Sequence, residues 1–165
     1  MSMIGNFRAL PDEELQALFA DPSRVEQLLY ESLLGGGSNG NELDVDKAWH
    51  GLHFLLTGSA WEGSFPLNFI VAGGQEVGGD LGYGPARGLT SSDVLKIDAA
   101  LEPLTPGELG QRFDAQRMTE LQIYPDGWSD DPDGERDYLL DYYADLRGFV
   151  RRTAEQGNAL LVYLS

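Results

Sequence analysis

No cysteine occurs in the 165 residues. A disulfide framework, a thiolate metal site and a thiol nucleophile are therefore excluded. A reducing compartment, the cytoplasm, is the expected location. Basic residues are scarce: 11 Lys and Arg stand against 27 Asp and Glu, for a net charge of −16. Duplex binding draws its affinity from Lys and Arg, so neither a broad phosphate-binding surface nor a nucleic-acid partner is expected. Long apolar runs are missing too. None approaches the roughly 20 residues that a bilayer demands, and the start MSMIGNFRAL lacks the basic start and long apolar stretch expected of a leader. No membrane partner is expected. Two common catalytic signatures are also missing: there is no phosphate-loop lysine and no HExxH pair. No cofactor or resident metal is implied.

What is present reads as a globular chain. Hydrophobic residues make up 42% and charged residues 23%, close to globular averages. The length suits one domain, residues 1–165, with a substantial core. Glycine is abundant, and five of the 21 glycines fall in GGDLGYGPARGLT, residues 78–90. Glycine is concentrated where a backbone turns tightly or another group comes close. This stretch runs into Thr90 and Asp93, spaced as a capping box with Asp in the usual Glu position. It is expected to be the ordered functional surface.

Elements follow from the pattern. Residues 3–10 read as a short strand. Pro11 with Asp12, Glu13 and Glu14 opens a helix carrying Leu15, Leu18 and Phe19. Asp21-Pro22 opens another, with Val25, Leu28 and Leu29 at helical spacing, stopped at Gly35. The run GGGSNG, residues 35–40, reads as a mobile loop. Asp44 to Lys47 opens a helix with Ala48, Leu52, Leu55 and Leu56 inward, stopped at Gly58. Residues 66–72, PLNFIVA, read as the strongest strand, apolar and rich in β-formers, with a brief return at residues 75–77. Thr90, Thr105 and Asp114 mark helix starts. Residues 135–156 read as the longest helix, and residues 159–164 as a buried final strand. Strands dispersed among helices predict an α/β fold, a three-layer α/β/α domain with a small central sheet and about six helices.

The candidate site residues cluster in two places. Trp49, His50 and His53 lie on the helix after Asp44. Asp46 and His50, four apart, and His50 and His53, three apart, can be neighbours; a metal would still need a ligand from elsewhere. Asp80, Tyr83, Arg87 and Thr90 lie in the glycine stretch. Gly82-x-Gly84 misses the dinucleotide fingerprint, because Arg87 occupies the place of its third glycine. Arg87 and the helix amides after Thr90 can converge on an anion; alternatively Arg87 pairs with Asp80 or another acid and pins the loop. The acidic run around Asp130 to Asp145 is no EF-hand, since Ser129 and Leu140 fill its first and twelfth positions.

Three segments together resemble the YfbM-like family of small bacterial proteins of unknown function: MSMIGN at residues 1–6, LDVDKAWHGLHFLLTG at residues 43–58 and DLGYGPAR at residues 80–87. The late LLVYL strand belongs to the same resemblance, which spans nearly the whole chain. It implies a three-layer α/β domain of the bacterial cytoplasm and supplies no catalytic residues.

Two functions fit. One is a non-catalytic acidic binding protein with a protein partner, neutralised as immunity proteins neutralise theirs. The other is an enzyme or a binder of a small anionic ligand, using a cleft between the 78–90 stretch and the 45–57 helix. The arrangement of His50, His53 and Arg87 discriminates them: one shared pocket favours the ligand.

Overall fold

The computed structural model describes residues 2–33 and 40–165. In chain order the elements are β1 (Gly5–Leu10), α1 (Asp12–Ala20), α2 (Arg24–Leu33), β2 (Glu42–Asp44), a 3₁₀ turn (Asp46–Ala48), α3 (Trp49–Thr57), β3 (Gln75–Val77), β4 (Ala86–Leu89), α4 (Ser91–Leu101), α5 (Pro106–Gly110), α6 (Ala115–Glu120), α7 (Pro132–Glu155) and β5 (Ala159–Leu164). The expected stop at Gly35 and the glycine run at residues 35–39 lie outside the described residues.

The five strands form one antiparallel sheet in the order β2-β1-β5-β4-β3. Successive side chains along a strand point to opposite faces, and β5 shows it. Leu160 and Val162 join one core, with residues of α3, α4, α5, α6 and α7. Ala159 and Leu161 join the other, with Leu15, Leu18 and Val25 of α1 and α2. The fold is thus the expected three-layer α/β/α arrangement. A strand covered on both faces must be apolar throughout, which is why ALLVYL was legible as one.

The helix starts are local chemistry. Thr90 accepts from the Asp93 amide while Asp93 accepts from the Thr90 amide, closing the capping box. Thr105 accepts from the Glu108 amide and Asp114 from the Arg117 amide. Thr90→Ala removes half of the box. Such a change costs about 1 kcal/mol, and urea denaturation of the variant should show that loss with an unchanged m-value.

Three expectations are overturned. Residues 66–72 form no strand; they are wound into consecutive turns, with the Asn68 amide donating to Ser64 O and both Val71 and Ala72 amides to Asn68 O. The physical reason is a partly buried cation, described below. The last part of the glycine stretch is not loop: Ala86–Leu89 is β4, an inner strand paired on both edges. Asp44 does not open a helix; it ends the edge strand β2, and the α-helix begins only at Trp49.

One rung of the sheet places the site. Leu43, Phe7, Val162, Arg87 and Glu76 are successive cross-strand partners from β2 to β3. Directly paired residues share a face. The rung therefore runs from apolar side chains under the helices to an Arg–Glu pair at the β3 edge.

Candidate functional site

At that edge a cleft of about 240 Å³ opens. Its lining includes Val162, Arg87, Trp49, Trp61, Tyr83 and Pro85. Glu76 stands exposed at the mouth. The loop carrying Tyr83 is shaped by Asp80, whose Oδ1 accepts from the amides of Gly82 at 2.7 Å and Gly84 at 2.9 Å. Both glycines have positive φ, 115° and 103°, a region that side chains rarely enter. These two bonds favour the charged carboxylate and hold the Asp80 pKa below its ordinary value, the Gly84 amide most strongly.

Arg87 is the centre of the edge. Its Nη1 donates to Ala72 O at 2.5 Å and Gly73 O at 2.9 Å; its Nη2 donates to Phe69 O at 2.9 Å and Ile70 O at 2.8 Å. Four backbone carbonyls consume all four Nη hydrogens. This cluster bends residues 66–72 away from strand geometry: a strand directs successive carbonyls to alternate sides, whereas here they converge on one group. Burial pushes the guanidinium down to about 10, with the Glu76 carboxylate partly offsetting it. Arg87 remains a cation at neutral pH.

The sequence offers Arg87 two roles: converging with the α4 amides on an anion, or pairing with Asp80 or another acid to pin the loop. Arg87 does not meet Asp80; the acid opposite it is Glu76, its cross-strand partner. Asp80 holds its own loop, and Arg87 holds carbonyls. The amides after Thr90 are also taken: Ser91 N donates to Asp12 Oδ1 at 2.9 Å, and Ser91 Oγ donates to Asp12 Oδ2. The anion at that helix start is the chain's own Asp12, reaching from α1.

The histidines lie behind the cleft, and neither lines it. His50 is 1% exposed and His53 0%. His50 Nε2 donates to Ala60 O at 2.8 Å, while Nδ1 accepts the Tyr124 amide at 2.8 Å. These roles fix the neutral Nε2–H tautomer. The ring stacks on Trp49 at 5.0 Å and contacts Trp61 at 4.3 Å. His53 Nε2 meets Thr57 Oγ1 at 3.2 Å, and its buried Nδ1 finds no close hydrogen bond among the described residues. Burial lowers both pKa values, that of His53 to about 4. Asp46 does not meet His50: its Oδ2 accepts from Tyr138 Oη at 2.8 Å.

The structure thus brings Trp49, Tyr83 and Arg87 together and leaves His50, His53, Asp80 and Thr90 outside. Trp61, Glu76 and Tyr163 line the cleft unforeseen. Trp61 was the legible one, because a tryptophan between Gly58 and Gly63 has little local core to enter. Among the described residues no group of three or more His, Asp or Glu side chains is placed to hold a metal ion, and no helix is long and apolar enough to cross a membrane.

Fold and edge together define an α/β/α protein built on an antiparallel sheet, with an aromatic cleft where a partly buried arginine organises backbone. The chain belongs to the family described as a domain of unknown function, DUF1877, whose profile matches residues 1–163. It is similar to protein YfbM of Escherichia coli strain K12, with 32% identity over 172 residues covering 99% of each chain. It is also similar to the crystal structure of a protein of unknown function, YfbM from Escherichia coli, with a TM-score of 0.72 and 27% identity over 98% of this chain and 99% of that one.

Proposed function

We infer that the protein is a non-catalytic binding protein of the bacterial cytoplasm that recognises a basic protein partner. The observation that carries this reading is the internal use of its chemistry-bearing side chains. Both His50 nitrogens and all four Arg87 Nη hydrogens are engaged within the fold. A general base must reach its substrate, and these groups do not. What faces outward is acid, with Trp61 62% exposed among it. Tryptophan is a common anchor of protein interfaces. Neutralising a basic protein, as immunity proteins do, is one form of this activity.

The test is retention from an extract of the cells that make the protein. Immobilised chain at about 0.15 M salt, where surface charge is screened beyond about 8 Å, should retain a basic protein at near-equal stoichiometry. Retention of nothing, or only of proteins that also bind any polyacidic surface, would refute the reading.

The small-anion reading keeps one support, the cleft shared by Trp49, Tyr83 and Arg87. It is the weaker because the fork of Arg87 is spent on carbonyls.

A further inference from the structure

A second cleft lies beside the first. It measures about 410 Å³ and is mainly apolar, with Leu29, Tyr30 and Leu81 among its walls and Glu26 and Asp80 at its rim. Both clefts are lined by Tyr163 and Leu164. Sharing these two residues, the clefts adjoin at the end of β5 and together are termed the groove. The 78–85 loop stands between them, giving Asp80 and Leu81 to one side and Tyr83, Gly84 and Pro85 to the other.

The groove has an exposed aromatic in each half. Trp61 is 62% and Tyr30 61% exposed. Its charged lining is Glu26, Glu76 and Asp80, all exposed, against Arg87. Among the described residues Arg87 is the only base lining either cleft, and its Nη hydrogens are committed to the 69–73 carbonyls. Asp80 is held ionised by the Gly82 and Gly84 amides. Acids, aromatic faces and apolar floor in alternation suit one kind of occupant. Guanidinium groups lie over tryptophan faces and pair with carboxylates, while apolar side chains between them fill Leu29, Leu81 and Leu164.

The geometry points to this groove as the docking site for an extended segment of the partner, in which arginines alternate with apolar residues. The inference rests on the binding-protein reading and adds to it the surface and the form of the ligand. A folded convex partner would bury one cleft; an extended segment passes through both. Nucleic acid and anionic lipid are disfavoured by the three carboxylates.

The probe is a blocked, fluorescein-labelled dodecapeptide of repeating Gly-Arg-Leu, about 40 Å when extended. Anisotropy at about 0.15 M salt should show saturable binding. Trp61→Ala, and separately Glu26→Gln with Glu76→Gln, should weaken it about tenfold or more, the loss of one interface anchor. Asp141→Asn with Glu155→Gln on α7 removes the same charge away from the groove and should change affinity less than about twofold. Trp61→Phe checks folding and should retain part of the binding. The peptide with Glu for Arg should not bind. No saturable binding, equal loss in the α7 pair, or equal binding of the Glu peptide overturns the proposal. The two readings fail separately: a basic partner retained equally by wild type and by Trp61→Ala with Glu76→Gln keeps the binding protein and removes this groove.

Discussion

Arg87→Met should cost about 3–5 kcal/mol of stability, because four backbone carbonyls lose a charged donor together. The stem of Arg87 is replaced in shape, so the loss reports on the guanidinium. Four carbonyls, of Phe69, Ile70, Ala72 and Gly73, lose their donors at once. Each hydrogen bond to a charged group is worth about 1.5–3 kcal/mol, and orphaned buried acceptors add a penalty of similar size. The four do not add fully, because residues 65–73 can reopen to water once released. Total stabilities lie near 5–15 kcal/mol, so the variant sits close to unfolding at 37 °C. At roughly 2–4 °C per kcal/mol, its melting temperature should fall by about 10 °C or more. Arg87→Lys keeps the charge, but its three donors lack the planar fork, and the melting temperature should fall by at least half as much. Hydrogen exchange locates the damage: amides of residues 65–73 should lose protection before those of β5. A thermal-shift panel of phosphate, nucleotides and carboxylates completes the test. The expected outcome is no stabilisation of the wild-type protein. An anion that raises the wild-type melting temperature by several degrees and leaves Arg87→Lys unmoved would restore Arg87 as a ligand contact.

The same arginine explains what the sequence did and did not disclose. The helix caps were legible because a cap is settled within four residues: Thr90, Thr105 and Asp114 each do what their spacing predicts. Residues 159–164 were legible because burial on both faces leaves its mark in the strand itself. Residues 66–72 misled for the opposite reason. Phe69 and Ile70 are buried, at 0% and 4% exposure, so the apolar run reported burial correctly. Its backbone path, however, is decided by a guanidinium up to 18 residues away, which no local period records. β4 was hidden because Arg87 and Gly88 are poor strand formers. Gly88 is there because α1 lies on it: a Cβ at that position would stand 2.6 Å from Leu15 Cδ1. Of the site, the proximity of Trp49, Tyr83 and Arg87 was readable from their segments. The withdrawal of His50 behind Trp61 was not, since it depends on Ala60 and Tyr124 closing on both ring nitrogens.

Acidification should destabilise the protein well above the pH at which most carboxylates titrate. His53 is 0% exposed, its Nδ1 finds no close hydrogen bond among the described residues, and burial lowers its pKa to about 4, partly offset by the Glu62 backbone. In the unfolded chain an ordinary histidine titrates near 6.5. Between these values the unfolded state binds a proton that the folded state refuses, so stability rises with pH. The contribution is complete above about pH 6.5 and is lost as pH falls toward 4. At about 1.4 kcal/mol per unit, His53 alone removes about 2 kcal/mol between pH 7.5 and pH 5. His50 adds in the same direction, because its pKa is also lowered by burial. Protonation at its Nδ1 would in addition place a hydrogen against the Tyr124 amide. That contact anchors a chain of bonds: Tyr124 Oη accepts from Met3 N at 2.9 Å, and Met3 O accepts from Trp49 Nε1 at 3.0 Å. Loosening should therefore begin at the 122–128 turn and the N-terminal residues before β1. Urea midpoints at pH 7.5, 6.5, 5.5 and 5 measure the slope. Proton NMR of the two imidazole Cε1–H signals assigns it. A His53 signal titrating near 6.5, with urea midpoints flat across the window, would show that the folded state accepts the proton freely and would remove this source of acid sensitivity.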